Sequence, residues 1–331
     1  MSEAADDSSR GPQWPSGIAF GPVPSRRLGQ SLGINNIPHK ICSYSCVYCQ
    51  VGRPLRYALE PSEFFEPETI AGAVAERVAR ARMSNDPVDY LTFVPDGEPT
   101  LDLNIGSTID LLRPLGIDIA VITNGTLVEH EEVRSALRKT DWVSFKIDTV
   151  DETTWRRIDR PHRKLKLDSI LQGLLEFRKD YGGTLVTETM LVRGVNDEPE
   201  SLNKVAGYLG RLKPEIAYIS IPTRPPAERR VVRPSEESVA RAHRILGRKV
   251  PRVELLIGYE GNAFAFTGDP EQDLLSITAV HPMREEAVRE LLSRTQSGWA
   301  VVEEMIAKNL LAEAEYEGSR YYIRKFEPAR R

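Results

Sequence analysis

Between about residues 30 and 250 the chain alternates short β-branched and aromatic runs with longer helical patterns, and this alternation restricts the fold more than any other feature. Strands are predicted at Gln30–Asn35, Val88–Val94, Asp118–Thr123, Trp142–Asp148, Thr184–Val192 and Glu215–Ile221. Helices are predicted at Glu66–Met83, Ile105–Leu115, Glu129–Lys139, Leu165–Tyr181, Glu198–Leu212 and Ser235–Leu246. Turn signals such as Thr123-Asn124-Gly125 and Tyr181-Gly182-Gly183 fall between them. Six such units exceed a bare mononucleotide-binding fold and fall short of a full eight-fold barrel. The expected core is therefore an α/β partial (β/α)6 barrel, with reactive groups at the carboxyl ends of its strands.

The chain has 331 residues, 40% of them hydrophobic and 28% charged, with 44 Lys and Arg against 48 Asp and Glu. That composition suits a large core and excludes a disordered, collagen-like or polycationic protein. Residues 1–17 are acidic and rich in Ser, Gly and Pro, without a hydrophobic signal core. They read as a disordered tail on a cytoplasmic protein with no membrane partner.

The core is expected over 18–255, a linker over 256–273, and a small C-terminal unit over 274–331. That unit reads as a short apolar run with a loop (Leu274–His281), two helices (Arg284–Arg294 and Trp299–Asn309) and a hairpin (Leu310–Phe326), the order of a winged helix. Its nine basic and nine acidic residues give DNA binding no electrostatic support, and favour protein contact or a lid role.

All three cysteines fall within eight positions, as Cys42, Cys46 and Cys49 in a C-x3-C-x2-C run shortly after the first strand. An odd, clustered set cannot form a closed disulfide framework. Three thiolates on one loop can hold an iron-sulfur centre. With His39 as a fourth ligand they could instead hold zinc, and three inert buried thiols are the remaining reading.

The cysteine spacing, Tyr48 before the last cysteine, and Asp96-Gly97-Glu98-Pro99-Thr100 downstream resemble the radical S-adenosylmethionine (SAM) superfamily. Phe20-Gly21-Pro22-Val23-Pro24-Ser25-Arg26-Arg27-Leu28-Gly29, Cys46-Val47-Tyr48-Cys49-Gln50, Gly97-Glu98-Pro99-Thr100-Leu101 and His281-Pro282-Met283 are similar to the Fe-S oxidoreductase group related to tRNA wyosine base-formation enzymes. The resemblance implies one 4Fe-4S cluster on Cys42, Cys46 and Cys49, with one iron open to the amino and carboxylate groups of SAM. It further implies reductive cleavage of SAM to a 5'-deoxyadenosyl radical, and an electron donor such as flavodoxin or ferredoxin. Gly97 and Glu98 match the element that orients the SAM ammonium, although Pro95 and Asp96 replace the usual small residues before it. The resemblance also implies a second cluster in the wyosine enzymes, for which this chain has no cysteine left after Cys42, Cys46 and Cys49.

Parity extends the site. In the fourth strand Val143, Phe145 and Ile147 share one face, and Ser144, Lys146 and Asp148 the other. Helices take the apolar face, so the polar set should line the lumen. Lys146 is the catalytic candidate. Ser144 and Asp148 are candidate SAM contacts, as are Tyr48, Glu188 in the fifth strand and Asn124 closing the third. Met190, on the same face as Glu188, reads as packing.

Basic residues crowd the loops after the later strands, with Arg160, Arg163, Arg193, Arg224 and Arg229 as the candidate rim. Such a mouth fits an anionic substrate, a nucleotide or RNA such as tRNA. Two alternatives stand beside this reading: an activase installing a glycyl radical on a partner protein, and a zinc- or cluster-bearing winged-helix regulator.

Overall fold

The computed structural model describes residues 17–258 and 269–325 and contains every strand and helix predicted for the core. The main sheet holds β1 (Ala19–Ser25), β2 (Gly29–Ile34), β3 (Tyr90–Phe93), β4 (Asp118–Thr123), β5 (Trp142–Lys146), β6 (Thr184–Met190), β7 (Ile216–Ser220) and β8 (Val253–Leu256), lying side by side in chain order. From β2 onward every pairing is parallel, while β1 runs antiparallel to β2. The core thus carries two edge strands that the sequence reading omitted. β1 holds two prolines and β8 is four residues long beside charged neighbours, so neither shows strong periodicity.

Helices α1 (Pro67–Met83), α2 (Ile105–Leu112), α3 (Glu131–Leu137), α4 (Glu152–Ile158), α5 (Leu167–Asp180), α6 (Pro199–Leu212) and α7 (Glu236–Leu246) connect the strands. Pro67 starts α1 where a missing N–H costs nothing, Glu68 sits at its positive end, and Ile70, Val74 and Val78 face the sheet. α4 was not predicted; Asp151 caps it by accepting the Thr154 N–H at 2.9 Å. The helix-facing side chains of the strands, among them Phe93, Val121, Val143, Phe145, Leu185 and Ile219, form the main core.

The sheet's two edges meet through a side chain. From the β1–β2 turn, Arg26 Nη1 donates to the carbonyls of Leu256, at 2.6 Å, and Gly258, at 3.0 Å.

After residue 268 come α8 (Pro270–Val280), β9 (Met283–Arg284), α9 (Glu285–Arg294), α10 (Ala300–Ala307), β10 (Leu311–Tyr316) and β11 (Ser319–Arg324), with sheet order β9-β11-β10. Leu274–His281, read as an apolar run with a loop, is therefore mostly helix. Asp269 caps α8, and residues on most of its faces are buried, which hides the helical period. α8 packs on β1, and Phe20 and Val23 of β1 belong to the C-terminal core with Leu274, Ile277 and Tyr322. Arg77 of α1 reaches both Gly21 O, at 2.6 Å, and Asp273, at 3.3 Å. Residues 1–16 of the predicted 1–17 tail, most of the linker (259–268) and the hairpin's last residue, Phe326, lie outside the described residues. Among the described residues no helix is long and apolar enough to cross a membrane.

Candidate active site

The segment after β2 crosses the carboxyl ends of the strands. Ile41–Cys42 pairs with Arg56–Tyr57, and backbone bonds from Ser45 N to Asp159 O (3.0 Å) and Val47 N to Ile158 O (2.9 Å) stitch it to the end of α4. Cys42, Cys46 and Cys49 are all half-buried and line one cavity of about 360 Å³. The Tyr44 N–H points at Cys42 Sγ (3.5 Å), as does Asn124 Nδ2 (3.6 Å), and the Val51 and Gly52 N–H groups face Cys49. Burial pushes all three thiols up, Glu98 adding to the effect at Cys42 and Asp159 at Cys46. A cation bound here would displace protons from them. His39 pairs with Asp96 at 3.1 Å. Among the described residues no three His, Cys, Asp or Glu side chains gather as a ready-made metal site.

Gly97 holds this loop against the sheet. A Cβ there would lie 2.1 Å from Ile41 O, so only glycine lets the two backbones close, with Glu98 N donating to that same oxygen at 3.0 Å. Pro95 and Asp96 fit the path because Asp96 turns inward to accept from Lys40 N (3.3 Å). Glu98 is buried; its Oε1 accepts from Thr100 N, Thr100 Oγ1 and Thr123 Oγ1, and its Oε2 from Asn124 N at 2.8 Å. Burial raises its pKa, with these bonds opposing. Glu98 thus ties the loop after β3 to the turn after β4. Asn124 in turn donates to Ser43 Oγ at 2.9 Å.

The lumen is layered. Its floor is apolar, made of Leu28, Ala120, Trp142, Val186, Tyr218 and Leu256. Above the floor Lys146 lies 3.1 Å from Glu188 and 3.5 Å from Asp148, and Ser220 donates to Glu188 at 2.9 Å. Arg27, from the β1–β2 turn, also pairs with Glu188, with Ser144 Oγ 3.5 Å away and the Trp142 and Tyr218 rings beside its guanidinium. Burial disfavours charge on both Lys146 and Glu188. The carboxylates of Asp148 and Glu188 nevertheless hold the Lys146 pKa above its ordinary value, and Lys146 with Arg27 holds Glu188 below its own. Of the polar face read in the predicted fourth strand, Ser144 and Lys146 lie within β5 and Asp148 just beyond its end; Lys146 lines the cavity and has buried ion-pair partners.

A second group joins this layer to the cysteines. The Tyr48 hydroxyl donates to Asp148 and lies 3.1 Å from Asp159, whose Oδ1 is 3.4 Å from Cys46 Sγ. The Tyr48 ring lies under Lys146 Nζ at 4.9 Å. Burial and then the Asp148 charge raise Asp159 well above the usual carboxylate range. Sequence reading missed Asp159 and did not place Arg27 in the lumen; neither lies on a strand whose alternation could reveal it.

Of the five rim candidates only Arg224 lines the cavity. Its Nη1 donates to Gln50 Oε1 at 2.5 Å and its Nη2 lies 3.1 Å from the His281 ring. Arg160 instead pairs with Glu228 at 2.8 Å, alongside Arg53. Arg163, Arg193 and Arg229 are exposed and lie outside the cavity lining. His281 and Val280 bring the C-terminal unit into the cavity wall, Gln50 Nε2 donating to Val280 O at 2.8 Å.

Residues 36–205 match the radical SAM superfamily. A UPF0026 protein of Methanocaldococcus jannaschii is 46% identical over 311 residues, which cover 93% of this chain and 96% of that protein. A probable dual-specificity RNA methyltransferase, RlmN, of a Thermotoga species is 25% identical over 213 residues, covering 62% of this chain and 58% of that protein. In fold, the chain is similar to TYW1 solved with a lysine-pyruvate adduct, with a TM-score of 0.52 and 17% identity, covering 66% of this chain and 74% of that one.

Proposed function

Because the chain belongs to the radical SAM superfamily, we propose that it holds one 4Fe-4S cluster on Cys42, Cys46 and Cys49, binds SAM in the adjoining cavity, and acts on an anionic substrate. The observation that supports this most is the convergence of three thiols, the Gly97-Glu98 turn and the Lys146–Glu188 layer on one cavity. The donor set suits the group: soft sulfur ligands that receive N–H groups from Tyr44, Val51, Gly52 and Asn124, as cluster thiolates require. When bound, the cluster supplies the electron that splits SAM into methionine and a 5'-deoxyadenosyl radical, which takes a hydrogen atom from substrate.

The protein's own residues position and insulate. Lys146, kept protonated, offers a fixed positive charge to a carboxylate or carbonyl, while Glu188 and Asp148 hold it in place. Ser144, Asn124, Tyr48 and Glu98 line or brace the same space, and the apolar floor excludes water from below. Arg224 is the cationic wall for the substrate. RNA is the substrate class we favour, on the arginine-bearing wall and the RNA-modifying relative. The reductant would be a flavodoxin or ferredoxin. We assign 18–255 to the catalytic core, 256–273 to a linker and 274–331 to a winged-helix-like unit that walls the cavity.

Anaerobic reconstitution should load about four irons per chain, and dithionite with SAM should release 5'-deoxyadenosine. Stoichiometric zinc with no SAM cleavage would overturn the proposal.

A further inference from the structure

Gly52 and Pro54 of the cysteine loop line the cavity, whereas Arg53, Leu55, Arg56 and Tyr57 are exposed and do not. Residues 160–166, after α4, and 228–232, after β7, flank this outer side, and Arg193, after β6, is tied to the second of them by its N–H to Val232 O at 3.0 Å. Together with 53–57 these segments carry nine basic residues and one acidic residue, in a chain whose net charge is -4. We propose that they form the docking surface for an acidic one-electron donor protein; the idea rests on the function proposed above and names the face through which its reductant acts.

The positive charge here is in surplus. Glu228, the one acidic residue, is already spanned by Arg53 at 2.6 Å and Arg160 at 2.8 Å. Arg56, Arg163, Lys164, Arg193, Arg229 and Arg230 are exposed, and among the described residues their side chains have no ion-pair partner. Like charges gathered in this way repel one another, and an acidic protein both relieves that repulsion and is steered toward it. Leu55 and Tyr57, 54% and 44% exposed, supply apolar surface among the charges, the pattern of a small protein contact rather than of a purely solvated face.

The surface also lies next to the cysteines. Tyr57 is the register partner of Cys42 in the two-stranded pairing, one strand spacing of about 4.8 Å away. His162 N donates to Ser43 O at 2.9 Å and Glu228 N to Val47 O at 3.0 Å, so both flanking segments are bonded to residues adjoining Cys42 and Cys46. An electron delivered here does not pass through the cavity, which SAM and substrate would fill at that moment. The step moves one electron from the donor's reduced flavin or iron-sulfur group to the cluster and oxidises the donor by one electron, with no bond made or broken. RNA fits this face less well: a substrate has to enter the cavity, and none of the six unpaired cations lines it.

The test uses the full-length reconstituted protein and a bacterial flavodoxin of net negative charge. Cluster reduction by the reduced flavodoxin, followed as loss of visible absorbance, should slow about tenfold in Arg56→Glu/Arg163→Glu and in Arg229→Glu/Arg230→Glu. Calorimetry should show a matching loss of affinity, largest at low salt. Iron content and dithionite-driven release of 5'-deoxyadenosine should stay at their wild-type values. If one double variant misfolds, which a lowered iron content reveals, the other decides. Three results overturn the proposal: a wild-type cluster that dithionite reduces and flavodoxin does not, equal flavodoxin rates in all three proteins, or a loss confined to binding of a short oligoribonucleotide, which assigns the surface to RNA. SAM cleavage driven by dithionite is read separately. Its absence alongside charge-dependent flavodoxin binding would remove the proposed function and leave the docking surface standing.

Discussion

Arg27 and Glu188, 161 positions apart, form an ion pair inside the lumen. One comes from the turn that joins edge strand β1 to β2 and the other from the middle of the sheet, so the pair fastens the β1–β2 turn into the barrel. The adjacent Arg26 holds the opposite edge through Leu256 O. Two consecutive arginines thus do different work: Arg26 joins the sheet's edges, and Arg27 balances the charge of the layer on which Lys146 sits.

Arg27→Ala should cost about 3 kcal/mol of stability, because it leaves a buried carboxylate with fewer partners. The Arg27→Ala/Glu188→Ala double variant should lose less than the sum of the two singles, by at least about 1 kcal/mol. Guanidinium unfolding of the four proteins measures this, and strict additivity would mean the pair contributes nothing.

Lys146→Ala should reduce 5'-deoxyadenosine formation by about tenfold or more, the scale expected when a buried charge-assisted contact is lost. Glu188→Ala should do the same through the release of Lys146. Iron per chain should stay at the wild-type value in both, since neither touches a cysteine. Wild-type turnover in both variants would remove these residues from the site.

Gly97→Ala forces a Cβ to within 2.1 Å of Ile41 O, so the backbone bearing Cys42 must move. We expect a loss of about 3 kcal/mol and fewer irons retained after reconstitution. Gly207→Ala, in α6 with open space around it, should gain about 1 kcal/mol and leave iron content alone. Matching behaviour in the two variants would show that the close approach at Gly97 is unimportant.

Asp102 gives a pH signature. It accepts from Asn36 Nδ2 at 3.0 Å and Asn104 N at 2.9 Å, yet burial outweighs these bonds and pushes its pKa up to about 6. Between pH of about 4 and 6 the folded chain therefore keeps a proton that the unfolded chain has released. Its contribution is fully present below that window and is lost as pH rises through it, by about 3 kcal/mol at most. Asp102→Asn should thus gain on wild type between pH 4 and pH 8 in urea titrations. A difference that does not change with pH would show that Asp102 does not titrate in this way.

Local periodicity determined much of this protein. The alternation of runs gave the parallel α/β core, the cysteine spacing marked the loop after the first predicted strand, and period-two parity put Ser144 and Lys146 on the lumen face. Such patterns repeat within a few residues, so a linear reading can find them. Tertiary structure alone brought Arg27 to Glu188 and Asp159 to Cys46, 113 positions away. It also joined His281 to Arg224 and turned Arg163, Arg193 and Arg229 outward from the cavity. Those outcomes depend on how turns and edge strands pack against distant elements, and no local period encodes that packing. The clustered cysteines therefore marked the loop that lines the cavity, while the closing of the sheet and the docking of the C-terminal unit decided which charges surround it.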